Sequence, residues 1–172
     1  MNAFITVIPL LIIRFGLLSL VGKESLKRAA FFAPRIGKEN TAYLIYQLSN
    51  MGMIICLCFL KITVNRYWLI TGLVIYGLGV LLCVLSTIDF SRPSENGVNI
   101  HGLYKVSRNP MYVAYFIYFL GCALLTQSIV FFVLLVIFQI GAHWIILSEE
   151  RWCIETFGEA YKSYMNHVRR YI

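Results

Sequence analysis

Apolar residues arrive in long runs along this chain, and the polar residues gather in the gaps between them. A helix needs about 20 apolar residues to cross the hydrocarbon core of a bilayer. Runs of that kind lie at Ala3 to Val21, Ala42 to Leu60, Tyr67 to Ile88, Pro110 to Thr126 and Ser128 to Leu147. The pattern predicts an all-α, polytopic transmembrane bundle of about five spans, with a four-span arrangement in which Ala3 to Val21 lies differently as the alternative. The break at Thr126 and Gln127 is tight, so the last two spans are expected to form a helical hairpin. Gly158 caps the fifth helix. Beyond it Tyr161, Tyr164, Met165 and Val168 recur at i, i+3, i+4 and i+7 with Lys162, Asn166 and Arg169 outward, which predicts an amphipathic C-terminal helix. The whole chain, 1–172, reads as one integral membrane domain. Residues 1–88 hold three N-terminal spans, and 89–172 hold a polar loop, the hairpin and a tail.

Composition agrees with lipid as the solvent of the fold: 59% of the 172 residues are hydrophobic and 13% are charged, against about 25% charged in a soluble domain. The formal net charge of +7 is scattered between apolar spans and forms no stripe of the kind that binds nucleic acid. It acts instead as a topology signal and an attraction to anionic membrane lipids. With the N-terminus outside, twelve Lys and Arg fall on inside segments: Lys23, Lys27, Arg28, Arg35 and Lys38; Arg92, Lys105 and Arg108; Arg151, Lys162, Arg169 and Arg170. Only Lys61 and Arg66 fall outside. The positive-inside rule then orients a multi-pass protein of the inner or plasma membrane, with its long polar loop and C-terminal tail both cytoplasmic. The first run lacks a basic leader and a small-residue cleavage pattern, so it reads as a retained span. Cys56, Cys58, Cys83, Cys122 and Cys153 show no paired spacing and read as small apolar residues, not as metal ligands or disulfides.

The densest polar stretch is ENGVNIHGLYKVSRNPMY. Asn109 suits a helix N-cap and Pro110 the first helical position. Free amides at that helix start, beside Arg108, suit an anion; equally, Asn-Pro is an ordinary helix start and Arg108 an ordinary headgroup contact. Gly102 permits a tight turn, and Tyr104 and Tyr112 suit either a ligand or the interfacial belt. On the fifth helix Gln139, His143 and Glu150 share a face, and a polar stripe on a membrane helix should turn inward. Glu149 and Glu150 at a helix's cytoplasmic end need cationic compensation. Arg14 lies about 10 Å of helix rise from the cytoplasmic edge. A central arginine costs about 2.5 to 3.5 kcal/mol, relieved either by snorkelling or by pairing inside the bundle.

Together and in this order, HGLYKVSRNPMY and EERWCIETFGEAYKSYMNHVRRYI resemble the isoprenylcysteine carboxyl methyltransferase family of integral membrane enzymes. The resemblance implies S-adenosylmethionine as methyl donor, in a pocket roofed by the loop before span four and by the tail. It implies Tyr104, Asn109, Pro110, Met111, Tyr112 and Glu149 as cofactor contacts, with His101 and Gly102 shaping the loop. Arg108, Glu150 and His143 are the candidate catalytic groups. Asn109 stands where the carboxyl methyltransferases usually have histidine, and Ile145 where the eukaryotic members place a substrate-contacting arginine. The implied acceptor is a lipidic or hydrophobic small molecule, among them an isoprenylcysteine-like carboxylate. A sterol-type membrane reductase using NADPH and a non-catalytic membrane scaffold are the competing readings. Gly72, Gly77 and Gly79 permit close helix packing within one chain or between chains, so oligomeric state is left open.

Overall fold

A computed structural model describes residues 1–21, 33–94 and 97–172. The expected basic residues Lys23, Lys27 and Arg28 therefore lie outside the described residues. The described chain is helical, with two isolated β-bridges and no strand. The first apolar run forms α1 from four consecutive pieces: a 3-10 turn Ala3–Thr6, an α-helical turn Val7–Leu11, a π-helical stretch Ile12–Leu17 and a last turn Leu18–Val21. Five further helices follow: α2 Glu39–Phe59, α3 Arg66–Phe90, α4 Pro110–Thr126, α5 Ile129–Phe157 and α6 Glu159–His167. Helices α2, α3 and α5 are each long and apolar enough to cross a membrane, while α1 and α4 are shorter apolar helices.

Local chemistry sets the ends of these helices. The Asn65 side chain accepts from the amides of Tyr67 and Trp68 and starts α3. Ser128 does the same for α5 through Phe131. Between α4 and α5 the chain turns at Gln127 in the left-handed region, φ 51°, which is the tight break expected there. Gly158, φ 55°, ends α5. The tail helix closes one residue early: Val168 is extended instead of helical. The reason is competition for carbonyls, because Val168 O accepts from Arg108 and the carbonyls of Arg169 and Arg170 accept from the segment 107–109.

Packing departs from the simple hairpin expected of α4 and α5. The closest neighbour of α4 is α3, and that of α5 is α2. Glycine decides the first pairing. A Cβ on Gly79 would lie 2.4 Å from Tyr118 Cα, and one on Gly121 would lie 2.5 Å from Tyr76 Cα, so the two backbones touch where side chains are missing. Gly72 packs likewise against Leu125, whereas among the described residues nothing lies within 4 Å of a Cβ at Gly77. The core between the helix pairs is filled by Met53, Leu57, Tyr118, Phe119, Phe131, Leu135 and Phe138, with Phe119 edge-on to Phe138 and Tyr46 stacked on it.

Each end of the bundle is tied separately. At one end the N-terminus joins the α2–α3 connection, through Ala3 N–H to Leu60 O and Ile62 N–H to Met1 O, and Thr63 N–H reaches Leu125 O beside the α4–α5 turn. At the other end Arg151 of α5 pairs with Glu39 at the start of α2 and donates to Pro34 O at 2.9 Å. The loop before α4 and the C-terminal tail meet at this same end.

Candidate functional site

The site is assembled from the loop before α4 upward. Gly102, φ 55°, opens a 3-10 turn Gly102–Lys105 pressed against the end of α3: a Cβ there would fall 2.1 Å from Asp89 Oδ2. The Asp89 carboxylate accepts the Leu103 amide at 2.8 Å. This anchor buries Tyr104, whose carbonyl accepts from the Tyr164 hydroxyl of α6 at 2.6 Å. The chain beyond α6 then runs as a strap across the loop. Arg108 N–H donates to Arg169 O at 2.9 Å, and both the Ser107 hydroxyl and the Asn109 amide nitrogen donate to Arg170 O.

Glu149 and Glu150 are neighbours, so a helix turns them about 100° apart and gives them different tasks. Glu150 faces the strap. Its carboxylate accepts from Arg108 (2.9 and 2.8 Å) and from Arg170 (3.0 and 2.8 Å), and Arg108 also donates to the carbonyls of Met165 and Val168. The hydrogen bond to Glu150 holds the Arg170 guanidinium above its ordinary pKa, so the tie stays charged. Glu149 faces inward and accepts one hydrogen bond, from the Tyr112 hydroxyl at 2.9 Å; among the described residues it has no ion pair.

These groups surround a cavity of about 440 Å³, within the roughly 300–1,000 Å³ of small-molecule sites. Tyr104, Asn109, Met111, Tyr112 and Glu149, singled out from the sequence, all line it, as do Arg108 and Glu150. The rest of the wall is largely aromatic, with Tyr46, Phe90, Tyr115, Trp152, Phe157, Tyr161 and Tyr164 beside Arg14, Ala33, Gly97, Val98, Asn99 and Cys153. Burial pushes the phenols of Tyr161 and Tyr164 well up, so both stay neutral donors.

Several expected groups stand elsewhere. His143 does not line the cavity; its Nδ1 lies 2.6 Å from the Tyr171 hydroxyl. The Gln139–His143–Glu150 stripe is divided accordingly, with Gln139 Oε1 buried and without a hydrogen bond among the described residues. Pro110 is buried at the head of α4 without lining the cavity, and His101 and Gly102 are exposed at the turn. Nor is there a free arginine at the start of α4. The Asn109 side chain makes no cap, being drawn to Arg170 O, and Arg108 is committed to Glu150. Arg14 resolves toward pairing: it donates to the Tyr115 hydroxyl at 2.9 Å and lines the cavity. Sequence reasoning did not single out Tyr46, Tyr115, Trp152 or Phe157; the spacing of Tyr115 three residues after Tyr112 on one helix face was the available signal.

A bundle of apolar helices thus carries, at one end, an aromatic-rich cavity lined by the loop before α4, the end of α5 and the tail helix α6. The family model described as phospholipid methyltransferase matches residues 67–160, more than half of the chain, and the chain belongs to this family, to which its resemblance to the isoprenylcysteine carboxyl methyltransferases also points. It is a membrane methyltransferase. The matched segment carries Tyr104, Arg108 to Tyr112, Glu149 and Glu150, and excludes Arg14, Tyr46 and Tyr161. Neither the curated proteins nor the solved structures contain a match to the chain.

Proposed function

We propose that this enzyme moves a methyl group from S-adenosylmethionine to a hydrophobic or lipidic acceptor at the cytoplasmic face of the membrane. The observation that carries the reading is Glu149: a cavity-lining carboxylate with one hydrogen bond and no cationic partner among the described residues, inside the family-matched segment. A donor that bears positive charge on sulfur and on its amine fits such a group. Trp152, Phe157 and Tyr164 offer flat apolar surface for a heteroaromatic base, and aromatic faces also favour a cation.

S-adenosylmethionine supplies a methyl group on a cationic sulfur, and transfer forms the methyl–acceptor bond as the carbon–sulfur bond breaks and its electron pair stays on sulfur. The protein's own part is positional. Tyr112 orients the Glu149 carboxylate, the anchored turn places Tyr104, and the strap held by Glu150 fixes the 107–109 segment against the tail helix. Holding two reactants in near-attack geometry is worth about 7 to 11 kcal/mol. Arg108 and Glu150 serve as positioning residues in this scheme, because each spends its charge on the other. Charge supports the cytoplasmic placement: Arg92, Lys105, Arg108 and Arg151 belong to the end that carries the cavity, and Lys61 and Arg66 to the opposite end.

Calorimetry of the purified protein in detergent tests the reading. Saturable S-adenosylmethionine binding is expected, with Glu149→Gln weakening it by about ten- to a hundredfold, the worth of a hydrogen-bonded charge. Labelled methyl transfer into lipid extracts would then identify the acceptor. Absence of binding by folded protein, or preferential binding of NADPH, would overturn it.

A further inference from the structure

The inner end of the cavity holds a charge that the donor site does not use. Arg14 stands on the π-helical stretch Ile12–Leu17, outside the family-matched segment, with its side chain in the cavity lining. A guanidinium has five N–H donors, and among the described residues Arg14 gives a single hydrogen bond, to the Tyr115 hydroxyl. Arg108 and Arg170 have Glu150, and Arg151 has Glu39; among the described residues no carboxylate pairs with Arg14. Beside it stands Tyr46 of α2, whose hydroxyl has no hydrogen bond among the described residues and which also lines the cavity. Packing alone does not require a cation here, since an apolar side chain would fill the same wall without the cost of burying charge. An ionisable residue that faces a cavity within the membrane marks a substrate path, and π-helical turns recur at functional sites.

Placement gives the charge its meaning. Tyr112 holds Glu149 and Tyr115 holds Arg14, and these tyrosines are three residues apart on α4, about 4.5 Å along the helix. One cavity therefore presents a carboxylate at its cytoplasmic level and, nearly one turn deeper, a guanidinium with a free hydroxyl beside it. The first suits a cationic donor. The second suits an anion arriving from the bilayer side.

We propose that Arg14, assisted by the Tyr46 hydroxyl, receives an anionic group of the methyl acceptor, a phosphate or a carboxylate, and so selects anion-bearing amphiphiles as substrates. The assignment rests on the methyl-transfer reading above. Arg14 and Tyr46 bind the acceptor, and Glu149 and Tyr112 bind the donor.

Two ligand series on full-length protein in a neutral maltoside detergent separate these roles. Wild type, Arg14→Gln, Arg14→Lys and Tyr46→Phe are titrated with dodecyl phosphate, laurate and dodecanol, and separately with S-adenosylmethionine. Wild type should prefer at least one of the two anionic probes over dodecanol, and whichever it prefers identifies the head group as phosphate or carboxylate. Arg14→Gln should lose about ten- to a hundredfold in that affinity, and Tyr46→Phe a few-fold. Arg14→Lys should fall between wild type and Arg14→Gln, and all four proteins should bind S-adenosylmethionine alike. If Arg14→Gln aggregates, Tyr46→Phe and Arg14→Lys decide. Anionic probes bound equally by wild type and variants, or no better than dodecanol by wild type, would overturn the assignment while leaving donor binding intact. Loss of S-adenosylmethionine binding confined to the Arg14 variants would give Arg14 to the donor and overturn it too. Failure of wild type to bind S-adenosylmethionine would instead sink the methyl-transfer reading itself.

Discussion

Replacing Glu150 with glutamine should loosen the strap that crosses the loop before α4. The Glu150 side chain is 5% exposed and accepts from two arginines, of which Arg108 is 8% exposed and Arg170 34%. Removing the carboxylate's charge leaves both guanidinium groups uncompensated, but unequally. Arg170 can turn to water, and its share of the interaction is already screened to about 0–1 kcal/mol. Arg108 cannot turn away without leaving the carbonyls of Met165 and Val168. Breaking a buried pair by removing one partner costs about 3–5 kcal/mol, and nearly all of it should fall on the Arg108 side. The cost should appear locally, because the remaining ties of the strap are neutral hydrogen bonds to Ser107, Arg108 N–H, Asn109 and His143 worth about 1 kcal/mol each. Hydrogen exchange read by mass spectrometry should show residues 158–172 opening far more often in Glu150→Gln than in wild type, with the exchange of α3 and α4 little changed. Arg170→Gln should raise that exchange only slightly. Equal effects of the two substitutions, or wild-type exchange in Glu150→Gln, would refute the assignment of the strap's stability to the buried Arg108–Glu150 pair.

Five further substitutions probe the frame around the site. Gly79→Ala and Gly121→Ala each drive a Cβ into the facing backbone and should cost about 1–3 kcal/mol. Gly77→Ala meets nothing and should stay within about 0.5 kcal/mol of wild type; detergent-phase thermal melting of the three distinguishes helix contact from glycine content. Gly102→Ala combines a positive φ with a collision at Asp89, so it should detach the Tyr104 turn and weaken S-adenosylmethionine binding while leaving the melting of the bundle nearly unchanged. Asn65→Ala removes the acceptor for two amides at the start of α3 and should lower stability by about 1 kcal/mol, with the same melting assay as the check.

Helix positions were readable because they depend on neighbours in sequence. Apolar runs located all five apolar helices, Gly158 marked the end of α5, and the proline at position 110 marked the head of α4, each through a rule that acts within a turn or two. The polar residues of the 104–112 segment and Glu149 were readable for a similar reason: polar and aromatic groups crowded at helix ends in an apolar chain have few places to go. Direction was another matter. Adjacent carboxylates look alike in sequence, yet the roughly 100° between neighbours on a helix sends Glu150 into an ion pair 42 residues away and Glu149 into the cavity. Val168 continued the helical spacing of α6 until distant donors claimed its carbonyl. Arg14 found Tyr115 across 101 residues, and α4 chose α3 over its sequence neighbour α5 because two glycines let the backbones meet. Local propensity and hydrophobic period set where helices form, because their energies are summed over contiguous residues. Which charges meet, and which are left facing a cavity, is decided only when helices pack, because burial and partner are properties of the assembled bundle.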